Sequence, residues 1–355
     1  MKIRIFWFDQ LKLYFWQLVK IGSIILPKEA LMLAPMEDVT DAAFRYMCKK
    51  YGADMMFSEF VSSEALVRGV KKTMKKMEIL SHERPYGIQL YGKNISAMIE
   101  SSKITEELEP DIIDINFGCP VKKVAMKGAG AGLLTEIPLM IKMTREIVRS
   151  TKLPVTVKTR LGWDDDTKNI VEVAEMLQDT GIAALTIHGR TRAQMYRGEA
   201  DWTLIGQVKN NQRMKIPIIG NGDITNAVKA RQAFDRYGVD ALMIGRAAIG
   251  RPWIFNEVKH YLETGEELPP CSVDQQIDLL IEQYQKGLEI KDSVRAVLAM
   301  RRFFAVSFKG LQNFKETRIR LLRADTEEEF MTIFSEISER WGDQFLSSLP
   351  SNDEK

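Results

Sequence analysis

A chain of 355 residues is longer than one small domain needs and fits a large domain with a smaller companion. Its 45% hydrophobic and 28% charged residues are ordinary for a globular protein, and a net charge of +2 excludes a molecule that binds nucleic acid through bulk charge alone. Three scattered cysteines (Cys48, Cys119, Cys271) and three histidines, with no CxxC pair, argue against a disulfide framework or a structural metal site and point to a reduced, cytoplasmic protein.

The aromatic-rich segment 1–23 is interrupted by Asp9, Lys12 and Lys20, too broken for a membrane span or a signal sequence. It reads as an N-terminal extension without an assigned role. From about residue 30 the chain settles into short apolar runs separated by helical stretches. The runs are ALMLAPM (30–36), MMFSEFV (55–61), YGIQLYG (86–92), IIDINFG (112–118), PVTVKTRLG (154–162), ALTIHGR (184–190), IPIIGNGDI (216–224) and ALMIGRAAI (241–249). Each suits a parallel strand buried on both faces. Among the spacers, 167–181 sets Ile170, Val173, Ala174 and Leu177 on one helical face, with Thr167 as N-cap and Gly181 as the stop. Eight strand–helix units predict an α/β fold, a (β/α)8 TIM barrel over residues 24–260, in preference to a doubly wound open sheet.

Past the barrel, Pro269 and Pro270 mark a linker into an all-helical domain over 270–348, followed by a tail at 349–355. Residues 286–323 carry ten Lys or Arg against three acids, a local excess of seven positive charges. Such a run is either a solvated helix face or the place where an RNA backbone docks.

In a β/α barrel the chemistry lies at the C-terminal ends of the strands. Those ends carry Pro35-Met36-Glu37, Ser58-Glu59, Gln89, Asn116 with Cys119, Lys158 with Arg160, His188 with Arg190, Asn221-Gly222-Asp223 and Gly245-Arg246. The glycines after the last two strands let backbone amides approach an anion, so a phosphate-bearing ligand is expected there. Cys119, between Gly118 and Pro120 on a glycine-rich loop, suits a chemical role on an exposed, mobile loop. Lys158, inside an apolar strand, needs an anionic or electron-rich partner, or else forms a Schiff base. His188 has no companion donors that would make a metal site.

The runs LAPMEDVTDAAFR, QLYG, DINFGCPVKKVAMKGAGAGLL, VTVKTRLGWDD, TIHGRTRAQMYRGEADW, IPIIGNGDI and MIGRAAIGRPWIF resemble the bacterial tRNA-dihydrouridine synthases, nearest to their B-type subgroup, over roughly residues 20–325. The resemblance implies an oxidoreductase that reduces uridine to 5,6-dihydrouridine in tRNA. It implies FMN at the barrel mouth, NADPH or NADH as reductant, hydride delivery to C6 of uracil, and Cys119 as the acid protonating C5. Pro35, Met36 and Glu37 would line the flavin, Glu37 through its backbone, and Gln89 would meet the pyrimidine edge. Lys158 would lie at N1 and the C2 carbonyl, with His188 beside it. Asn221, Gly222, Asp223, Gly245 and Arg246 would hold the ribityl chain and phosphate. Lys122, Arg190, Arg192, Arg301, Arg302 and Lys309 would contact RNA. A monomer with no membrane attachment and no metal is expected. The rival readings are a flavin oxidoreductase of a free small molecule and a non-catalytic RNA-binding barrel.

Overall fold

The structure, a computed structural model, describes residues 18–346. Most of the expected extension (1–17) and the tail at 349–355 lie outside the described residues. The described chain divides into two compact units: residues 18–37, 53–223 and 232–245 form one, and residues 38–52, 224–231 and 246–346 the other.

The first unit opens with a β-hairpin, β1 (Val19–Ile21) paired antiparallel to β2 (Ile24–Leu26). Gly22 turns the corner at φ +60°, where a side chain would collide with Pro154. The boundary placed at residue 23 therefore cuts through a hairpin. Its buried Val19, Ile21 and Leu26 cluster with Ala30, Ile112, Ala184 and Ala241, each the first residue of a later strand. The hairpin thus plugs the N-terminal end of a barrel.

That barrel is built from β3 (Ala30–Leu33), β4 (Met56–Phe57), β5 (Val61–Ser62), β6 (Tyr86–Tyr91), β7 (Ile112–Asn116), β8 (Val155–Arg160), β9 (Ala184–His188), β10 (Ile218–Asn221) and β11 (Ala241–Ile244). All of them pair in parallel, in the order β3-β11-β10-β9-β8-β7-β6-β4. A parallel bridge between Met32 and Met55, with Leu33 N donating to Met55 O at 3.0 Å, closes the ring. This is the expected (β/α)8 barrel, and each of the eight apolar runs contains one of its staves.

The second stave departs from a continuous strand. Phe57 pairs with Gly87, but Val61 pairs with Leu90, so β4 and β5 hold one residue more than the facing stretch of β6. Within this bulge buried Ser58 has its hydroxyl accepting from Gln89 N at 3.0 Å. One helix start also moves. Ile170–Gln178 buries Ile170, Val173, Ala174 and Leu177 as expected, but Thr167 sits in a preceding 3₁₀ turn, its hydroxyl donating to Asp164. Gly181, at φ +95°, provides the turn toward β9.

The second unit is helical: Ile254–Thr264, Val273–Leu288, Ser293–Phe304, Lys315–Arg323 and Glu327–Trp341. Ser272, Asp292 and Thr326 cap three of these helices with their side chains. Tyr284, Phe304, Phe308, Phe314, Phe330, Phe334 and Trp341 form a chain of ring contacts through its core, mostly edge-on or tilted. The unit also takes in Ala42–Lys50, the helix that follows β3 in sequence. Phe44 packs on Phe303 at 5.1 Å, and Lys50 pairs with Glu282. Among the described residues no helix is long and apolar enough to cross a membrane.

Candidate active site

Strand registry sorts the barrel interior by polarity. At the strand starts the lining is apolar; toward the C-terminal ends Gln89 pairs with Asp114, Thr156 with Asp114, Asn116 with Lys158, and His188 with both Arg160 and Asn221. Directly paired residues, and those two apart on one strand, share a face. One polar band therefore crosses five strands, β6 to β10, at the end where β/α barrels work.

Cys119 sits on the loop after β7 and is 6% exposed, not open on the surface as its sequence setting suggested. Asn116 Oδ1 accepts from Gly118 N at 2.9 Å and from Cys119 N at 2.8 Å, and Ala131 N donates to Cys119 O at 3.2 Å. The loop is thus pinned on both sides of the cysteine. Burial pushes the thiol above its ordinary value, against the opposing pull of the Val121 amide and of Arg160 and Lys158, so the sulfur keeps its proton at neutral pH.

Lys158, from the next strand, donates to Asn221 Oδ1 at 2.9 Å, and Asn221 in turn donates to Met243 O at 2.7 Å. Burial, reinforced by the Arg160 charge, lowers the Lys158 amine to about 7, and Asp114 opposes the shift. Asp114 itself is raised to about 6 by burial, against hydrogen bonds from Gln89 and Thr156. An amine poised near neutrality takes up a full charge when an anion arrives beside it.

Two buried arginines staple the mouth loops. Arg160 donates through Nε to Gly118 O at 2.7 Å and through Nη1 to Thr191 O at 3.0 Å and Met195 O at 2.9 Å, tying the Cys119 loop to the loop after β9. Arg190, expected to touch RNA, has no exposed surface. It pairs through both Nη atoms with Asp223, at 2.9 and 2.7 Å, and donates to Arg197 O and Gly198 O. A guanidinium so enclosed organises the loop and is not offered to an RNA backbone. Asp223 is engaged in the same cluster, also accepting from Ala200 N at 2.8 Å. Its carboxylate is engaged within the loop.

Next to Asp223 and after the last strand, glycines leave the backbone without a side chain. Gly222 adopts φ +132°, and a Cβ there would lie 2.6 Å from the Ala200 Cβ. A Cβ on Gly245, after β11, would touch Ala34 and Met36 at 3.4 and 3.6 Å. Gly245 therefore lies against the end of β3, where half-buried Pro35 and Met36 follow. Glu37 is exposed and ion-paired with Lys76. Arg246 is exposed and opens the 3₁₀ turn Arg246–Ala248. His188 is 8% exposed at the end of β9. Gln89, expected on a flavin edge, has no exposed surface; its amide is bonded to Asp114 on one side and Asn116 on the other.

Of the remaining RNA candidates, Lys122 is exposed beside equally exposed Lys123 and Lys127, and Arg192 stacks on Trp163 at 4.5 Å. In the helical unit, Arg301 Nη2 caps Lys315–Arg323, donating to Ala324 O at 3.0 Å, and pairs with Asp325. That side chain is engaged within the helical unit while a third of it is exposed. Arg302 and Lys309 are half-buried. The sequence reading passed over Asp114 and the staple role of Arg160. The alternation of Asp114 and Asn116 in DIN, which puts both on one strand face, was the signal for the first.

A family model described as dihydrouridine synthase matches residues 32–339. The chain is 39% identical over 302 residues to a probable tRNA-dihydrouridine synthase of Rickettsia bellii, covering 85% of this chain and 92% of the relative. It is 44% identical over 264 residues to tRNA-dihydrouridine synthase B of Pseudomonas aeruginosa (74% and 79%), and 39% identical over 323 residues to that of Pseudomonas putida (91% and 95%). Among solved structures it is similar to histamine dehydrogenase from Rhizobium sp. 4-9, with TM-score 0.52 and 13% identity over 81% of this chain. It is also similar to an amine oxidase from Pseudomonas geniculata, with TM-score 0.55 and 12% identity over 74%. The chain spans about half the length of those two proteins, and the likeness is one of fold. On the strength of the family match and the full-length relatives, the chain belongs to the dihydrouridine synthase family.

Proposed function

We propose that this protein reduces uridine to 5,6-dihydrouridine in tRNA, using FMN recharged by NADPH or NADH. The reading rests on family membership. The observation that carries it further is the placement of two proton-bearing groups at the same barrel end, Lys158 on β8 and Cys119 on the loop after the adjacent β7.

The residues present fit a phosphate-bearing flavin. Gly222 and Gly245 leave bare backbone at the ends of adjacent strands, where a side chain would collide with Ala200 at the first and rest against Ala34 and Met36 at the second. Lys158, with its amine near neutrality, answers to an electron-rich ring that gains charge on reduction. Pro35, Met36, Lys158, His188, Asn221, Gly222 and Gly245 would hold the group. When bound, reduced FMN supplies the hydride received by C6 of uracil.

The chain's own residues do the rest. Cys119 holds a proton on sulfur for C5, and the raised thiol value keeps it there at neutral pH. Asn116 and Arg160 fix the loop that presents it. Asn221 orients the Lys158 amine. Exposed Lys122, Lys123 and Lys127, on the Cys119 loop itself, supply positive charge for phosphates flanking the target base. That base must leave its stack, at a cost of about a few kcal/mol.

The test is an anaerobic absorbance titration of the purified protein. A yellow protein that bleaches with NADPH and recolours on addition of unmodified tRNA supports the reading. Recolouring by a small enone but not by tRNA would replace it with a small-molecule reductase, and a colourless protein that binds RNA with a non-catalytic one.

A further inference from the structure

We infer that Asp114 is a positioning residue for Cys119, acting through Gln89 and Asn116. The inference deepens the proposed function, since it concerns how the proton donor of that reaction is held. Its physical basis is a buried hydrogen-bond chain with a fixed direction. Asp114 Oδ2 accepts from Gln89 Nε2 at 2.5 Å, Gln89 Oε1 accepts from Asn116 Nδ2 at 2.8 Å, and Asn116 Oδ1 accepts from the amides of Gly118 and Cys119. Asp114 Oδ1 accepts from Thr156 Oγ1 at 2.5 Å. Asp114 is 1% exposed, Gln89 0% and Asn116 6%, so the chain has little access to water.

Direction is what the carboxylate contributes. A primary amide can turn over and exchange its donor and acceptor ends. An ionised carboxylate accepts only, so it forces Gln89 to point nitrogen toward Asp114 and oxygen toward Asn116. Asn116 must then point nitrogen toward Gln89, which leaves its oxygen for the two loop amides. Were either amide reversed, two donors or two acceptors would face each other in a buried setting. The anion at one end of the chain therefore sets where the backbone of Cys119 lies at the other. The sequence fits this use: DINFGC places the carboxylate, the amide and the thiol within one strand and its loop.

The chain has a chemically complementary alternative, and that supplies the test. Gln89→Glu sets two carboxyl groups against each other and breaks the direction. Adding Asp114→Asn restores it. The amide introduced at position 114 donates to the carboxylate introduced at position 89, and Asn116 still donates to that same carboxylate. Thr156 then donates to the oxygen of the introduced amide. Two quantities are read on the flavin-loaded protein. One is the rate of Cys119 alkylation by iodoacetamide, followed by peptide mass spectrometry at about pH 8, where Asp114 is ionised. The other is the rate of reoxidation by tRNA divided by the rate of bleaching by NADPH.

Gln89→Glu is expected to change the alkylation rate and lower the ratio by about tenfold each, with the double variant back within about threefold of wild type. An alkylation rate unchanged in Gln89→Glu, or a double variant as impaired as the single one, overturns the inference. Should Gln89→Glu not fold, Asp114→Asn and Asp114→Leu decide. Both remove the carboxylate that fixes the direction, so both should shift the alkylation rate and the ratio, and wild-type behaviour of either refutes the relay. A wild-type protein that makes no dihydrouridine would sink the proposed function while leaving the alkylation result to judge the relay by itself.

Discussion

Replacing Arg190 with methionine separates an RNA contact from an internal staple. The sequence suggested the first and the structure shows the second. The variant removes a guanidinium with no exposed surface and takes the counter-charge from the Asp223 carboxylate, 14% exposed, to which Ala200 N still donates. Breaking a buried pair from one side costs about 3–5 kcal/mol, because the surviving charge loses its compensation. With roughly 2–4 °C of melting temperature per kcal/mol for a domain of this size, the midpoint should fall by about 6–20 °C. The assay is thermal unfolding followed by circular dichroism, alongside tRNA binding measured well below the midpoint. Arg190→Met with Asp223→Asn, which removes the remaining charge, should recover about half of the loss. The salt dependence of RNA affinity should match wild type in both. A variant that melts within about 1 °C of wild type yet binds RNA more weakly would refute the staple and return Arg190 to the RNA surface.

Four further outcomes follow from the same geometry. Lys158 has a folded-state value of about 7, below its ordinary 10.5, so the flavin-free protein carries the full burial penalty below about pH 7 and sheds it as pH rises toward 10.5. Its melting temperature should therefore gain over that range relative to Lys158→Met, and parallel pH profiles would contradict the shift. Gly222→Ala, with a Cβ 2.6 Å from Ala200 at φ +132°, should purify with little flavin, and full flavin occupancy would remove the cradle. Arg301→Ala should cost about 1 kcal/mol by uncapping Lys315–Arg323, without changing RNA affinity, whereas a loss of affinity with unchanged stability reverses the assignment. Charge reversal at Lys122, Lys123 and Lys127 together should flatten the dependence of log affinity on log salt by about two to three units, and an unchanged slope puts the phosphates elsewhere.

The architecture was legible because parallel strands buried on both faces write themselves as apolar runs, and every stave falls in a run, only Ser62 at the end of β5 lying one residue beyond its run. The hairpin escapes the pattern because its strands are three residues long and the first lies in the charge-interrupted segment 1–23, although Val19, Ile21, Gly22, Ile24 and Leu26 spell alternation around a turn. The bulge at Ser58 depends on a register across β6 that no local pattern carries. The polar strand ends were identified as a set, but their roles were not. At such a position a side chain can face the mouth or a neighbouring loop, and only the fold decides. Lys158 faces Asn221 across the barrel interior, while Arg190 turns into its own loop and Gln89 lies beneath the mouth between two neighbours. The same limit applied to charge in the helical unit. The excess over 286–323 is real, yet Arg301 and Arg320 are committed to Asp325 and Glu336.

Uridine reduction with Cys119 as the proton donor is the central claim. The most direct test counts dihydrouridine by nucleoside mass spectrometry in unmodified tRNA incubated with NADPH and either wild-type protein or Cys119→Ala. Wild type should convert uridine to a product heavier by two hydrogens, with Cys119→Ala slower by about 100-fold or more while still bleaching with NADPH. Equal product from both proteins would remove Cys119 from the reaction, and none from wild type would contradict the reaction itself.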